Sequence, residues 1–125
     1  MDVQLKEAKL NALEAIQILN NWYKSGNKHK DQTLAHMVLG DILLKSNDFH
    51  QAKQEYEKAE HIYKTAFVEM NYSEVSILYF KLANLAVSLK DQISAKKYLS
   101  MHRSLFGNDH PNTKKILNKM IQVDV

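Results

Sequence analysis

The sequence predicts an all-α protein, an antiparallel helix-turn-helix array of about six helices. Three observations carry that prediction. Apolar residues recur at three- and four-residue spacing through most of the chain, the period of an amphipathic helix. Only three Gly and one Pro punctuate 125 residues, too few for the many turns of a sandwich or barrel. An apolar fraction of 45% and a charged fraction of 25% are ordinary for a soluble globular domain, and the length suits one such domain.

The first helix carries Leu5, Ala8, Ala12, Ile16, Leu19 and Tyr23 on one stripe. Leu10, Leu13, Ile18 and Trp22 lie beyond that stripe, so the helix is expected to be covered on more than one side. Ser25-Gly26-Asn27 stops it, because Gly and Asn tolerate the left-handed conformation that ends helices. A second helix is expected over 31–45, with Leu34, Val38 and Ile42 on its stripe. The turn Ser46-Asn47-Asp48 leads to a third over 49–68, and Asp48 with Gln51 reads as its capping box. A fourth runs from about Ser73 to Leu89 behind a wall of Ile77, Leu78, Leu82, Leu85, Ala86 and Leu89. Asp91 is the expected N-cap of a fifth, ending near Phe106. Gly107-Asn108-Asp109-His110-Pro111 is the clearest break, and Pro suits the first position of a last helix over 111–121.

Several function classes are excluded or disfavoured. The absence of Cys excludes a disulfide scaffold, a thiol nucleophile and any zinc site built on thiolates. No apolar run approaches the ~18 residues of a membrane span, and the N-terminus lacks the layout of a signal peptide, so a cytoplasmic protein that does not enter membranes is expected. A net charge of +3 raises the question of nucleic acid, yet sixteen of seventeen basic residues are Lys and only Arg103 offers a planar fork. The lysines are scattered among 14 acidic residues, the densest groups being Lys28 with Lys30, Lys96-Lys97 and Lys114-Lys115. A solvated surface is the expected reading, and nucleic acid the lesser alternative. No phosphate loop, HExxH, Gly-x-Ser-x-Gly or Cys–His pair occurs, so no enzyme, cofactor or metal is expected. The six His lie on different expected helices and turns, with His36 at a packing position and His110 in a connector. Glu55, Glu57 and Glu60 read as a solvated face, and Met37 and Met101 as core fillers.

A longer period organises the helices. Ala-Lys recurs at Ala8, Ala52 and Ala95, offsets of 44 and 43 residues, and each face continues at the fourth and seventh following residues, Ala12 and Ala15, Tyr56 and Ala59, Leu99 and His102. Leu39-Gly40 and Leu82-Ala83 each begin thirteen residues before the Ala of the following helix. Small residues are needed there because antiparallel helices joined by a short turn approach closely. His36-x-x-Leu39-Gly40-x-x-Leu43, then Ala52-x-x-x-Tyr56-x-x-Ala59, resembles a tetratricopeptide unit, and Tyr79-x-x-Leu82-Ala83, then Ala95-x-x-x-Leu99, repeats it more loosely. The long period and the Gly107…His110-Pro111 connector are similar to the kinesin-light-chain-like variety of that family.

The resemblance implies one α-solenoid domain over 1–125, with complete units at 31–70 and 73–107 and half units at 1–26 and 110–123. It further implies a non-catalytic interaction or assembly module that binds a peptide segment or partner helix in a concave groove. By register the groove presents Met37, Asp41 and Lys45 from the second helix, Lys81, Asn84 and Ser88 from the fourth, and Lys115 and Lys119 from the sixth. Asn84 stands where family members hold an extended peptide backbone, and the two late lysines imply a partner with acidic character. Alternatives are a regulatory peptide-sensing domain of a larger protein and a basic helical nucleic-acid-binding domain. The half unit at the N-terminus implies a missing neighbour, supplied by further chain or by a second copy. In the second case a homodimer would form through helix one, with Leu10, Leu13 and Trp22 as its contacts.

Overall fold

The computed structural model describes residues 2–23, 30–65 and 69–124. These residues form six helices and no strand: α1 (Val3–Trp22), α2 (Lys30–Lys45), α3 (Phe49–Thr65), α4 (Tyr72–Ser88), α5 (Gln92–Phe106) and α6 (Pro111–Asp124). The expected stop at Ser25-Gly26-Asn27, the Lys28 and His29 positions and the expected end of the third helix at Val68 lie outside the described residues. The chain divides into two compact units, Met1–Met70 and Asn71–Val125.

In the first unit α2 packs against both α1 and α3. Asp2 starts α1, its carboxylate accepting from the Leu5 amide at 2.7 Å. The stripe toward α2 is closed by a hydrogen bond in which Gln32 Nε2, fully enclosed, donates to Asn20 Oδ1 at 2.9 Å. Between α2 and α3 the backbones come close at Gly40. A Cβ built there would stand 2.6 Å from Tyr56 Cε1 and 2.9 Å from Cδ1 and Cζ, so the missing side chain is what lets the ring lie flat on the helix. Ala52, Tyr56 and Ala59 are fully buried against this crossing, with Leu39 and Leu43 beside them.

The second unit repeats the device. Leu82, Ala83 and Ala95 are buried at the positions 43 residues after Leu39, Gly40 and Ala52. Here Ala83 and Leu99 replace Gly40 and Tyr56, a larger residue on one helix matched by a smaller one on the other. The turns repeat as well. Asp48 N donates to Leu43 O at 2.9 Å and Asn47 N to Leu44 O at 3.0 Å, and Asp91 N to Ala86 O at 2.9 Å and Lys90 N to Val87 O at 3.0 Å. That pair of bonds satisfies the orphan carbonyls of a helix end through one left-handed residue, Asn47 at φ 60° and Lys90 at φ 59°. Asp48 and Asp91 then cap α3 and α5 through the Gln51 and Ser94 amides. One difference from expectation is the start of α4. Asn71 and Glu74 form a reciprocal capping box, so the helix begins at Tyr72.

Within this unit α4 packs on α5 and α6, and α5 on α6. Asn112 near the start of α6 bonds to Ser76 near the start of α4, and Lys119 toward its end bonds to Asn84 and Ser88 toward the end of α4. The two helices therefore run in the same direction, side by side.

Candidate functional site

The parallel α4–α6 pair carries five of the eight residues that the register assigns to a ligand-facing surface, and brings Asn84, Ser88 and Lys119 into contact. Lys119 Nζ donates to the Asn84 carbonyl at 3.4 Å and to Ser88 Oγ at 3.3 Å, and Ser88 Oγ itself donates to the Asn84 carbonyl at 3.1 Å. Partial burial lowers the Lys119 pKa from its ordinary value. The acceptors are neutral, so the ammonium meets no carboxylate among the described residues. Nor does the side-chain amide of Asn84 find a partner among them: it keeps both a donor and an acceptor available. Lys115 is exposed one turn before Lys119, and Lys81 is half-buried one turn before Asn84. Glu74, held in the capping box, and Asp124 are the acidic residues of these two helices, against Lys81, Lys114, Lys115 and Lys119. The face can offer an acidic, extended segment two things: cationic charge, and a paired donor and acceptor.

The α2 candidates fare differently. Met37 is only 6% exposed and belongs to the core, a correction of its place on the ligand-facing surface. Seven of the sixteen residues of α2 are buried, because the helix is covered by both α1 and α3 and has little free face. Asp41 accepts a very short hydrogen bond from the Tyr56 hydroxyl. Burial, and then this carboxylate, push the tyrosine pKa up. Asp41 thus ties α2 to α3. Lys45 is exposed at the end of α2.

On α1 the three self-association candidates are exposed, Leu10 at 64%, Leu13 at 44% and Trp22 at 73%. They do not form one patch. At about 100° per residue, Leu10 stands about 120° from Trp22 around the helix and Leu13 about 180° from it. Leu10 and Leu13 share one flank, and Ile18 and Trp22 share another.

A buried polar chain in the second unit has no counterpart among the sequence candidates. His102 is 0% exposed and links three elements. Thr113 Oγ1 gives its hydrogen to the Gly107 carbonyl at 2.9 Å, so it accepts from His102 Nδ1 at 2.8 Å. His102 Nε2 must then accept from Ser76 Oγ at 2.7 Å, while Ser76 accepts from Asn112 Nδ2 at 2.9 Å. Each hydroxyl hydrogen has a partner and the imidazole is neutral. Burial, with His110 as a second cause, lowers its pKa to about 4. The His110 ring lies 5.0 Å from it, and Nδ1 of His110 accepts from the Asn112 amide at 3.0 Å to start α6. Ser76 and His102 have the contact of a nucleophile and its base. An imidazole with so low a pKa is a poor base at neutral pH, Ser76 is buried, and the third group is a hydroxyl instead of a carboxylate. What the chain of bonds does is fasten α6 to α4 and to the end of α5. One signal for it was present in the sequence. His102 occupies the place that Ala59 fills 43 residues earlier, an oversized polar residue in a small-residue position.

Among the described residues no helix is long and apolar enough to cross a membrane, and no three His, Asp or Glu side chains gather in a group that could hold a metal ion. Comparison with known proteins finds no family model, curated protein or solved structure that matches the chain.

Proposed function

We propose that the protein is a tetratricopeptide-like, non-catalytic interaction module, and that the α4–α6 face binds an acidic peptide segment of a protein partner. The observation that carries the reading is Lys119, an ammonium held in place by two neutral acceptors beside an unpartnered Asn84 amide, on a pair of helices poor in carboxylates. A fixed cation loses less side-chain freedom on meeting an anion than a free lysine would. The repeated Gly40–Tyr56 and Ala83–Leu99 positions and the twofold use of one turn support the repeat reading, two complete units with a half unit at each end. The lack of cysteine fits a cytoplasmic location. The exposed flanks of α1 leave room for a neighbour, which in this reading is further chain or a second copy.

A titration tests the proposal. Dye-labelled peptide Glu-Glu-Leu-Glu-Glu should bind the wild type with an affinity that falls as salt rises. Lys115→Glu/Lys119→Glu should lose that binding while remaining helical. Equal binding by the variant, or none by the wild type, would contradict it.

A further inference from the structure

We infer that a cavity beside the α4–α5 turn receives one apolar side chain of that peptide, flanked by acidic residues. The inference rests on the peptide-binding reading above and adds to it the sequence character of the ligand.

The cavity has a volume of about 220 Å³ and lies wholly within the second unit. Buried Val87 and Ala95 form its apolar floor, and half-buried Met120 of α6 packs against them as a wall. An apolar cavity of about 150 Å³ admits benzene, so this one has room for a side chain the size of Leu or Phe. Met is the residue best able to adjust such a wall, since its unbranched thioether changes shape at little cost. The location fits the neighbouring face. Val87 and Met120 directly adjoin Ser88 and Lys119 in the chain, so the cavity lies within one residue of the Lys119–Ser88 contact.

Charge selects the residues beside the anchor. The mouth carries the exposed Lys90 and Lys96, neither of which makes an ion pair among the described residues. Lys119 adds a third cation nearby. The acidic residue there is Asp91, whose carboxylate is engaged in capping α5 through the Ser94 amide at 3.1 Å. A purely apolar partner would leave three ammonium groups at its border without compensation. A purely acidic one would leave the cavity unfilled. An apolar residue between carboxylates satisfies both.

Anisotropy titrations of the whole chain with dye-labelled Glu-Glu-Leu-Glu-Glu and Glu-Glu-Ala-Glu-Glu decide the matter. Exchanging Leu for Ala removes about three carbons from an apolar site, and the Leu peptide should bind at least about tenfold more tightly. Met120→Glu, which sets a carboxylate in the wall, should abolish the preference, with both peptides bound no more tightly than the wild type binds the Ala peptide. Lys90→Glu/Lys96→Glu, confined to exposed positions, should weaken both peptides and leave the melting temperature unchanged. If both peptides bind equally, or if the preference survives Met120→Glu, the cavity assignment is overturned and the peptide-binding reading stands. Unchanged affinity in the lysine double variant overturns it too, even if Met120→Glu does not fold. Failure of both peptides to bind overturns the underlying reading as well. Binding of hexanoate without either peptide would assign the cavity to a small carboxylic acid instead.

Discussion

Gly40 offers the sharpest test of how the helix pairs are built. Ala at this position would place its Cβ 2.6 Å from Tyr56 Cε1, well inside van der Waals contact. The ring has little room to yield, since it is fully buried and its hydroxyl is bonded to Asp41. Two effects oppose each other. Overpacking a core typically costs about 1–3 kcal/mol. Replacing Gly by Ala inside a helix returns about 1 kcal/mol of conformational entropy. Gly40→Ala should therefore be neutral to about 2 kcal/mol destabilising, and Gly40→Leu about 3 kcal/mol destabilising or more. The second unit supplies the compensating change, because Ala83 and Leu99 stand where Gly40 and Tyr56 do. In a double-mutant cycle read by urea denaturation, Gly40→Ala should cost less in a Tyr56→Leu background than in the wild type. The coupling should be about 1 kcal/mol or more. A Gly40→Ala protein about 1 kcal/mol more stable than wild type, with no coupling to position 56, would show that the glycine makes no close approach.

Two further predictions concern the second unit. His102 should remain neutral in the folded protein down to about pH 4. Its pKa is depressed below the unfolded value of about 6.5, so its contribution to stability is present above that pH and is lost as pH falls toward the folded value, on the order of 2–3 kcal/mol in all. An NMR titration of the imidazole checks it, and a midpoint near 6.5 would refute the enclosed neutral tautomer. Lys90 holds φ at 59°, a conformation that strains a side-chain-bearing residue, so Lys90→Gly should stabilise the protein by up to about 1 kcal/mol in thermal melts. A clear loss of stability would mean that the lysine side chain has a packing role.

Much of the helical framework was legible in the sequence, because apolar spacing and turn chemistry act locally. The Ser46-Asn47-Asp48 and Lys90-Asp91-Gln92 turns stand between helices as expected, and Asp91 is the N-cap that its position predicts. Boundaries that depend on polar residues were harder to read. Asn71 and Glu74 start α4 ahead of its first apolar residues, and α6 continues to Asp124 beyond the expected Ile121. Side-chain destinations were legible only where a single helix decides them. The register brings Asn84, Ser88 and Lys119 to neighbouring helices, and there they meet. It cannot show that Tyr56 will reach across to Asp41. His102 was obscured for the same reason: its partners Ser76 and Thr113 come from positions 26 and 11 residues away. Thr33, the counterpart of Ser76 in the first unit, faces no such histidine, and its buried hydroxyl has no hydrogen-bond partner.

In the function proposed for this protein, the α4–α6 face is where a partner binds. Isotope-labelled protein titrated with Glu-Glu-Leu-Glu-Glu and followed through its backbone amide resonances tests it residue by residue. Concerted shifts are expected at Asn84, Ser88, Lys119 and Met120, with the amides of α3 unmoved. Shifts confined to α1 or α3, or a spectrum unchanged at saturating peptide, would contradict it.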